Sequence, residues 1–155
     1  MSNLRKKHLR VIKLKDFKIV DLKWRNLPNT TIDTYISNPN RKCKLDAHGS
    51  IGLKLKSNIL KLKGNSDIVF SISDISFKKI WIKKFNGKLN LKWCSNLPSN
   101  LDTLTLNGTG GYDFHDSSIG FKKLNIENFF GTVDFTRCEN VPLKYRKYIK
   151  KKTLN

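Results

Sequence analysis

Apolar and polar residues alternate along several short stretches of this chain. Ile12-Lys-Leu-Lys, Leu60-Lys-Leu-Lys and Ile80-Trp-Ile-Lys each place an apolar side chain at every second position. A period of two is typical of a β-strand with one buried face, and the period of an amphipathic helix is nearly absent. The pattern therefore predicts a mainly β protein.

One long stretch of sequence occurs twice, at a shift of 44 residues, so that 57–99 align with 101–143. The matched pairs are Leu60/Leu104, Leu62/Leu106, Gly64/Gly108, Phe70/Phe114, Ile75/Ile119, Phe77/Phe121, Ile80/Leu124, Ile82/Ile126, Phe85/Phe129, Gly87/Gly131, Cys94/Cys138, Asn96/Asn140 and Pro98/Pro142. So many matches at one offset indicate duplicated structural units.

A third, eroded copy opens the chain, where Leu9, Ile12, Leu14 and Phe17 align with Phe77, Ile80, Ile82 and Phe85. We expect a further weak repeat near Ile36 and a terminal one near Tyr148. A unit of about 22 residues cannot bury its own apolar edge, but stacked units form one continuous core. The sequence thus predicts a single repeat domain over residues 1–155, with about six to seven coils, parallel strands and a basic tail over about 144–155.

The stretch Asn96-Leu-Pro-Ser-Asn-Leu-Asp-Thr-Leu-Thr-Leu-Asn-Gly108 resembles a leucine-rich repeat of the short Leu-Pro-x-x-Leu-x-x-Leu-x-Leu or FNIP type. A second alternating segment occurs in each copy, as Leu89-Asn-Leu-Lys-Trp and Val133-Asp-Phe-Thr. Most other units lack the fixed Asn of that family, and this second segment is unusual for it. A leucine-rich-repeat-like solenoid and a β-helix-like solenoid therefore both stay open. The resemblance implies a strand face that binds a ligand, and it implies no reaction.

The chain is strongly basic, with 31 Lys and Arg residues against 12 Asp and Glu residues and a net charge of +19. Such an excess exceeds what solubility requires and implies a polyanion or an acidic protein surface as partner. Low-GC coding bias is the alternative explanation, because it inflates Lys, Asn and Ile. That bias accounts for Lys over Arg but not for the shortage of acidic residues.

Stacking the units places many of the basic residues in two outward columns of one sheet. The first column is Lys13, Lys61, Trp81, Thr105 and Asn125, and the second is Lys15, Lys63, Lys83, Asn107 and Glu127. Successive strands lie about 4.8 Å apart, a spacing comparable to that of phosphates along a nucleic acid strand. The candidate binding residues are Lys13, Lys15, Lys61, Lys63, Lys79, Trp81, Lys83, Lys147, Lys150 and Lys151. Trp81 is expected to stack on a base or anchor a partner, with a solvated lysine face as the alternative.

The candidates for catalysis are few. Asp113, His115 and Asp116 follow Gly108-Thr-Gly-Gly111 and resemble an acid/base or metal cluster. Their aligned positions in the preceding copy include Ser71 and Ile72, so a loop substitution is the simpler interpretation. Because Cys94 and Cys138 share one repeat position, we expect them to be packing residues. No catalytic motif or zinc spacing is present, so we predict no enzyme, no metal and no cofactor.

The cysteine usage bears on the cellular setting. Three cysteines are an odd number without metal-ligand spacing, and no apolar stretch follows the basic residues 1–10 as a signal peptide requires. A reducing compartment is therefore expected, which we take as the cytoplasm, or the host cytoplasm if the protein is viral. No apolar run of about 18 residues predicts a membrane-spanning helix, and no membrane partner is expected.

These observations lead to a first hypothesis of a non-catalytic module that binds RNA, DNA or another polyanion through charge and shape. Lysine outnumbers the arginines that read bases in bidentate fashion, so little sequence preference is expected. The rival hypothesis is a protein-interaction module, for example a virus- or phage-encoded inhibitor of a host defence nuclease. A hidden nuclease that uses Asp113 and His115 is a third and less favoured class.

Overall fold

The computed structural model describes residues 10–14, 19–35 and 42–146 and the backbone of 149–151. Strands make up 47% of these residues and there is no helix of seven or more residues, which confirms a mainly β protein. The strands are β1 (Arg10–Lys13), β2 (Ile19–Asp21), β3 (Thr30–Asp33), β4 (Lys44–Asp46), β5 (Lys54–Leu55), β6 (Ile59–Gly64), β7 (Asp67–Val69), β8 (Lys79–Phe85), β9 (Lys88–Asn90), β10 (Leu101–Gly108), β11 (Gly111–Asp113), β12 (Phe121–Phe129), β13 (Thr132–Asp134) and β14 (Ile149–Lys151).

One side of the molecule is a long sheet with the strand order β14-β13-β11-β9-β7-β4-β2. The six strands from β2 to β13 are parallel, and β14 pairs antiparallel with β13 at the end. Each step between neighbouring parallel strands is one turn of the chain, so the described residues form a β-solenoid of about five turns. The predicted solenoid with parallel strands is therefore confirmed, whereas the predicted count of six to seven coils is not.

The opposite side is divided into three smaller sheets, with the orders β1-β3-β5, β6-β8 and β10-β12. Strands β6 and β8 pair from Ile59 with Lys79 onward, and β10 and β12 pair from Leu101 with Phe121 onward. Both pairs carry a register shift at the same place, next to Gly64 and Gly108. The repeat of 44 residues thus corresponds to two coils, and each copy contributes one such strand pair.

The core lies between the two sides and consists of side chains stacked in register. On the long sheet the stacked inward residues are Val20, Leu45, Ile68, Leu89, Tyr112 and Val133, all of which are buried. Phenylalanines fill much of the core in the carboxyl-terminal coils, where Phe114 and Phe135 stack with ring centroids 5.5 Å apart and planes 8° apart. Burial of this continuous column is the main source of stability for a fold whose turns have no core of their own.

Most strands of the long sheet end in the same tight corner. Its first residue is Asp21, Asp46, Asn90, Asp113 or Asp134, whose side-chain oxygen accepts a hydrogen bond of 2.8–3.2 Å from the backbone N–H two residues later. The third residue after it has a left-handed backbone, with φ between 56° and 68°, at Trp24, Gly49, Trp93, Asp116 and Arg137. These carboxylates and the one amide are turn-forming groups that hold the chain as it leaves the sheet.

The weak repeat expected near Ile36 and the terminal one near Tyr148 lie outside the described residues. The described second coil begins earlier, at β3, and contains a single fully buried strand residue there, Ile32. The last described strand, β14, is antiparallel, so the parallel stacking ends at β13.

Candidate binding face

The outward side chains of β6 and β8 form the candidate binding face. The register places Lys61 beside Trp81 and Lys63 beside Lys83, as the columns inferred from the sequence require. Trp81 is 40% exposed, and Lys79 and Lys83 are exposed on either side of it. Because like charges directly opposite each other repel, the Lys63–Lys83 pair creates positive potential that nothing on these two strands offsets.

Tyr35 is a member of this face that the sequence analysis missed. Its ring centroid lies 6.1 Å from that of Trp81, with planes 51° apart. The ammonium groups of Lys61 and Lys63 lie 6.0 Å and 5.5 Å from the Tyr35 ring centroid, which is within the range of a cation–π interaction. Tyr35 therefore joins the tryptophan and two lysines into one aromatic and basic cluster.

Two hydrogen-bonded neighbours hold Tyr35 in place. The Thr34 hydroxyl donates to the Lys61 carbonyl at 2.8 Å and accepts from the Lys61 N–H at 3.1 Å, which ties the end of β3 to β6. The Tyr35 N–H donates to Asp33 Oδ1 at 3.0 Å. The sequence feature that could have identified Tyr35 is Asp33-Thr-Tyr35, in which two hydrogen-bonding side chains follow the buried Ile32.

Asp33, which comes two residues before Tyr35, already has partners of its own. Asp33 Oδ2 lies 3.8 Å from Lys56 Nζ, and its other oxygen accepts from Tyr35. Strands β6 and β8 contain five lysines and no acidic residue. On the far side, Asn107 bridges β8 and β10, accepting from Lys84 N–H at 2.7 Å and donating to the Ile82 carbonyl at 3.1 Å. None of the ion pairs among the described residues involves a lysine of β6 or β8.

A groove of about 460 Å³ opens in this face. It is lined by Tyr35, Ile59, Lys61, Lys79, Ile80 and Trp81. Its apolar and aromatic walls carry lysines, so a flat, uncharged group inside it would have positive charges beside it. In this groove, a ligand can contact apolar and aromatic side chains in addition to the charges of the lysines.

The remaining predicted site residues lie elsewhere. Lys13 is the register partner of Asp33 in the β1-β3-β5 sheet, so β3 lies between it and the strand that carries Lys61. Lys15 and Lys147 lie outside the described residues. Lys150 and Lys151 belong to β14 at the far end of the long sheet, and only their backbone is described.

Asp113, His115 and Asp116, the strongest catalytic candidates in the sequence, form one of the corners. Asp113 Oδ1 accepts from the His115 N–H at 3.0 Å, and Asp116 Oδ2 lies 3.0 Å from His115 Nε2 and 3.6 Å from Arg137 Nη1. The Trp93 indole N–H also donates to Asp116 Oδ2, at 3.3 Å. The side chains satisfy one another, and no group of three or more potential metal ligands occurs within the described ranges.

Cys94 and Cys138 are fully buried at equivalent corners. Their thiols donate to the carbonyl oxygens of Phe70 at 3.0 Å and Phe114 at 2.9 Å in the preceding coil. Burial raises the pKa of Cys94 to about 11 and raises the pKa of Cys138 as well. A neutral thiol enclosed in the core is a poor nucleophile, and both residues pack the solenoid.

Comparisons with known proteins do not add to this description. No family model matches the chain, and no curated protein and no solved structure is similar to it at a significant level. The resemblance to leucine-rich repeats therefore stays a prediction. In the part of the chain that the structure describes, no helix has the length and apolar character needed to cross a membrane.

Proposed function

We propose that this protein is a non-catalytic binding module whose β6–β8 face binds nucleic acid or another polyanion. The observation that supports the proposal is the arrangement of Lys61, Lys63, Lys79 and Lys83 around Trp81, without an acidic residue on either strand. We place this activity in the cytoplasm.

The chemistry of the face favours binding with little sequence preference. Lysine is a point charge that attracts a phosphate, whereas arginine is the side chain suited to bidentate reading of base edges. The described arginines are at the start of β1, in two corners and after β13, and none is on the β6–β8 face. The main attraction is therefore electrostatic, and it includes the release of counterions.

Salt dependence is the test of this proposal. Four lysine–phosphate contacts to a single strand give a slope of log affinity against log salt of about −3, which weakens binding about fifty-fold between about 50 and 200 mM salt. Fluorescence anisotropy with a labelled oligonucleotide measures the slope. Absence of binding at low salt would overturn the proposal.

A matched pair of variants locates the binding face. Changing Lys61, Lys63 and Lys83 together to Gln leaves one of the four lysines and should reduce the slope to about −0.7. The control replaces Lys42, Lys44 and Lys88, three exposed lysines on the long-sheet side, with Gln and loses the same charge. The control should keep the full slope, and equal effects of the two triple variants would mean that net charge rather than this face binds.

An acidic protein surface is the rival partner, and one observation favours it. Trp81 is a large exposed aromatic residue among basic side chains, which is a common composition for the anchor of a protein interface. A protein partner would co-purify from native cells at a fixed stoichiometry and survive nuclease treatment. Nucleic acid would co-purify as material that nuclease removes.

A further inference from the structure

We infer that the ligand of the β6–β8 face is a single-stranded nucleic acid with one base stacked on Trp81, in the groove that Trp81 forms with Tyr35. This inference rests on the proposed function and names its substrate class. It predicts that the bases, and not the phosphates alone, contribute to binding.

Trp81 is held differently from the other two tryptophans of the chain. The Trp93 indole donates to Asp116, and the Trp24 ring lies across Gly49, where it would be 2.3 Å from an added Cβ atom. The rings of Trp24 and Trp93 therefore make contacts within their own corners of the solenoid. Trp81 is in ring contact with Tyr35 only at a tilt of 51°, and it is 40% exposed beside a groove. The open part of its indole is available to a flat partner.

The surroundings of Trp81 match the parts of a nucleotide. Ile59 and Ile80 also line the groove, and they offer an apolar environment for a base. Lys83 lies two residues beyond Trp81 on the same side of β8, at a distance of about 7 Å, with Lys63 next to it. One nucleotide can therefore place its base on the indole and its phosphate against the Lys63–Lys83 pair.

The same geometry disfavours a double helix. In a duplex the faces of the bases are stacked on one another, so an aromatic side chain on a broad sheet cannot reach them. Reading a duplex through its major groove relies mainly on bidentate side chains such as arginine, and none of the described arginines is on this face. Aromatic stacking next to lysines is instead the usual mode for single strands, and it tolerates any sequence.

Three oligomers of one length test the inference at about 50 mM salt, where electrostatic binding is strong. They are an unstructured strand with bases, an abasic strand with the same phosphates, and a duplex. Stacking of one base on Trp81 should make the strand with bases bind about tenfold tighter than the abasic strand. Equal affinity for the first two oligomers, or tighter binding of the duplex, would overturn the inference and leave the proposed function intact. Failure of all three to bind would remove the proposed function itself.

Variants of the tryptophans assign the effect to one side chain. Trp81→Ala should lose about the same tenfold on the strand with bases and lose little on the abasic strand, while Trp81→Phe should keep most of the affinity. Trp93→Ala is the matched control, because Trp93 is 48% exposed but lies in a corner away from the groove. A loss of affinity in Trp93→Ala as large as in Trp81→Ala would contradict the assignment.

Tryptophan fluorescence supplies an independent readout. In the double variant Trp24→Phe and Trp93→Phe, Trp81 is the single remaining tryptophan. Its emission should be quenched by the strand with bases and not by the abasic strand. Equal quenching by both strands would show that a base does not stack on the ring.

Discussion

Gly87 is the position where one added methyl group should damage this solenoid most. A Cβ atom at Gly87 would lie 1.7 Å from the carbonyl oxygen of Ser66 in the preceding coil, and this oxygen accepts a hydrogen bond of 3.2 Å from Lys88 N–H. A backbone carbonyl cannot rotate away as a side chain does, so the two coils must separate by more than 1 Å.

The cost of Gly87→Ala follows from the bonds that this separation strains. The Gly87 carbonyl also accepts from Gly111 N–H at 2.9 Å in the next coil, so the change disturbs the ladder on both sides. Loss of two backbone hydrogen bonds at about 1 kcal/mol each, with the lost packing around them, gives a destabilisation of about 3 kcal/mol or more. For a chain of this size that lowers the Tm by about 6–12 °C.

Thermal and urea denaturation followed by circular dichroism measure this effect, and Gly111→Ala is the matched control. A Cβ atom at Gly111 would meet the Thr132 hydroxyl at 3.1 Å and the Lys88 side chain at 4.0 Å, both of which can move. We expect the control to change stability by less than about 1 kcal/mol. If Gly87→Ala melted within about 2 °C of the parent, the close approach of the two coils would be wrong.

Three other changes test the packing. Tyr112→Phe should leave the free energy of unfolding unchanged or raise it by about 1 kcal/mol, because no described residue pairs with the buried Tyr112 hydroxyl; a loss of about 2 kcal/mol in urea denaturation would reveal a partner. Asn107→Ala should lower stability by about 1–2 kcal/mol in the same assay, because two hydrogen bonds to β8 are lost. The folded pKa of Cys94 is about 11 against 9.0, so its thiol favours the folded state below pH 9, and this contribution is lost as the pH rises toward 11. Cys94→Ala should therefore flatten the decline of stability over that range, and an unchanged decline would exclude Cys94 as its cause.

The parts of the fold that the sequence predicts are those where alternation is visible. In β6 and β10 several inward residues, such as Leu60 and Leu62 or Leu104 and Leu106, follow one another at the strand period, and all four are fully buried. The strands β2, β4 and β7 have three residues each and bury one side chain each. One apolar residue has no period, so alternation does not reveal these three strands, whereas it does reveal the segments that contain β9 and β13.

The candidate binding face was partly predictable because β6 and β8 also show visible alternation. Lys61, Trp81 and Lys83 are outward residues of long strands, and alternation alone assigns them to one surface. Tyr35 follows β3, where one buried isoleucine gives no pattern, and its contact with Trp81 depends on the Thr34 hydrogen bonds to Lys61. Lys13 lies one strand away from the β6–β8 face, because β3 stands between β1 and β6, and the weak repeat expected in that interval was assigned to the region near Ile36.

The backbone conformation of the corners cannot be predicted from the pattern of apolar and polar residues. Trp24, Trp93 and Arg137 adopt left-handed backbone conformations that are uncommon for any residue except glycine. The solenoid imposes them, because each corner must stack on the next through backbone hydrogen bonds such as that of 3.0 Å from Trp93 N–H to the His115 carbonyl. The Asp or Asn at the start of each corner and the neighbouring coils therefore shape its conformation together.

The distribution of charge supports the proposed function over a compositional origin of the lysines. A coding bias toward lysine acts on the whole chain and would enrich both sides of the solenoid. On the long sheet the outward strand positions carry Lys44 and Lys88 and five aspartates, Asp21, Asp46, Asp67, Asp113 and Asp134, four of which also accept a backbone hydrogen bond in a corner. Strands β6 and β8 carry five lysines and no acidic residue. The neighbouring strands on that side carry Asp33, Asp102 and Glu127, so the excess of lysine is specific to β6 and β8 around Trp81.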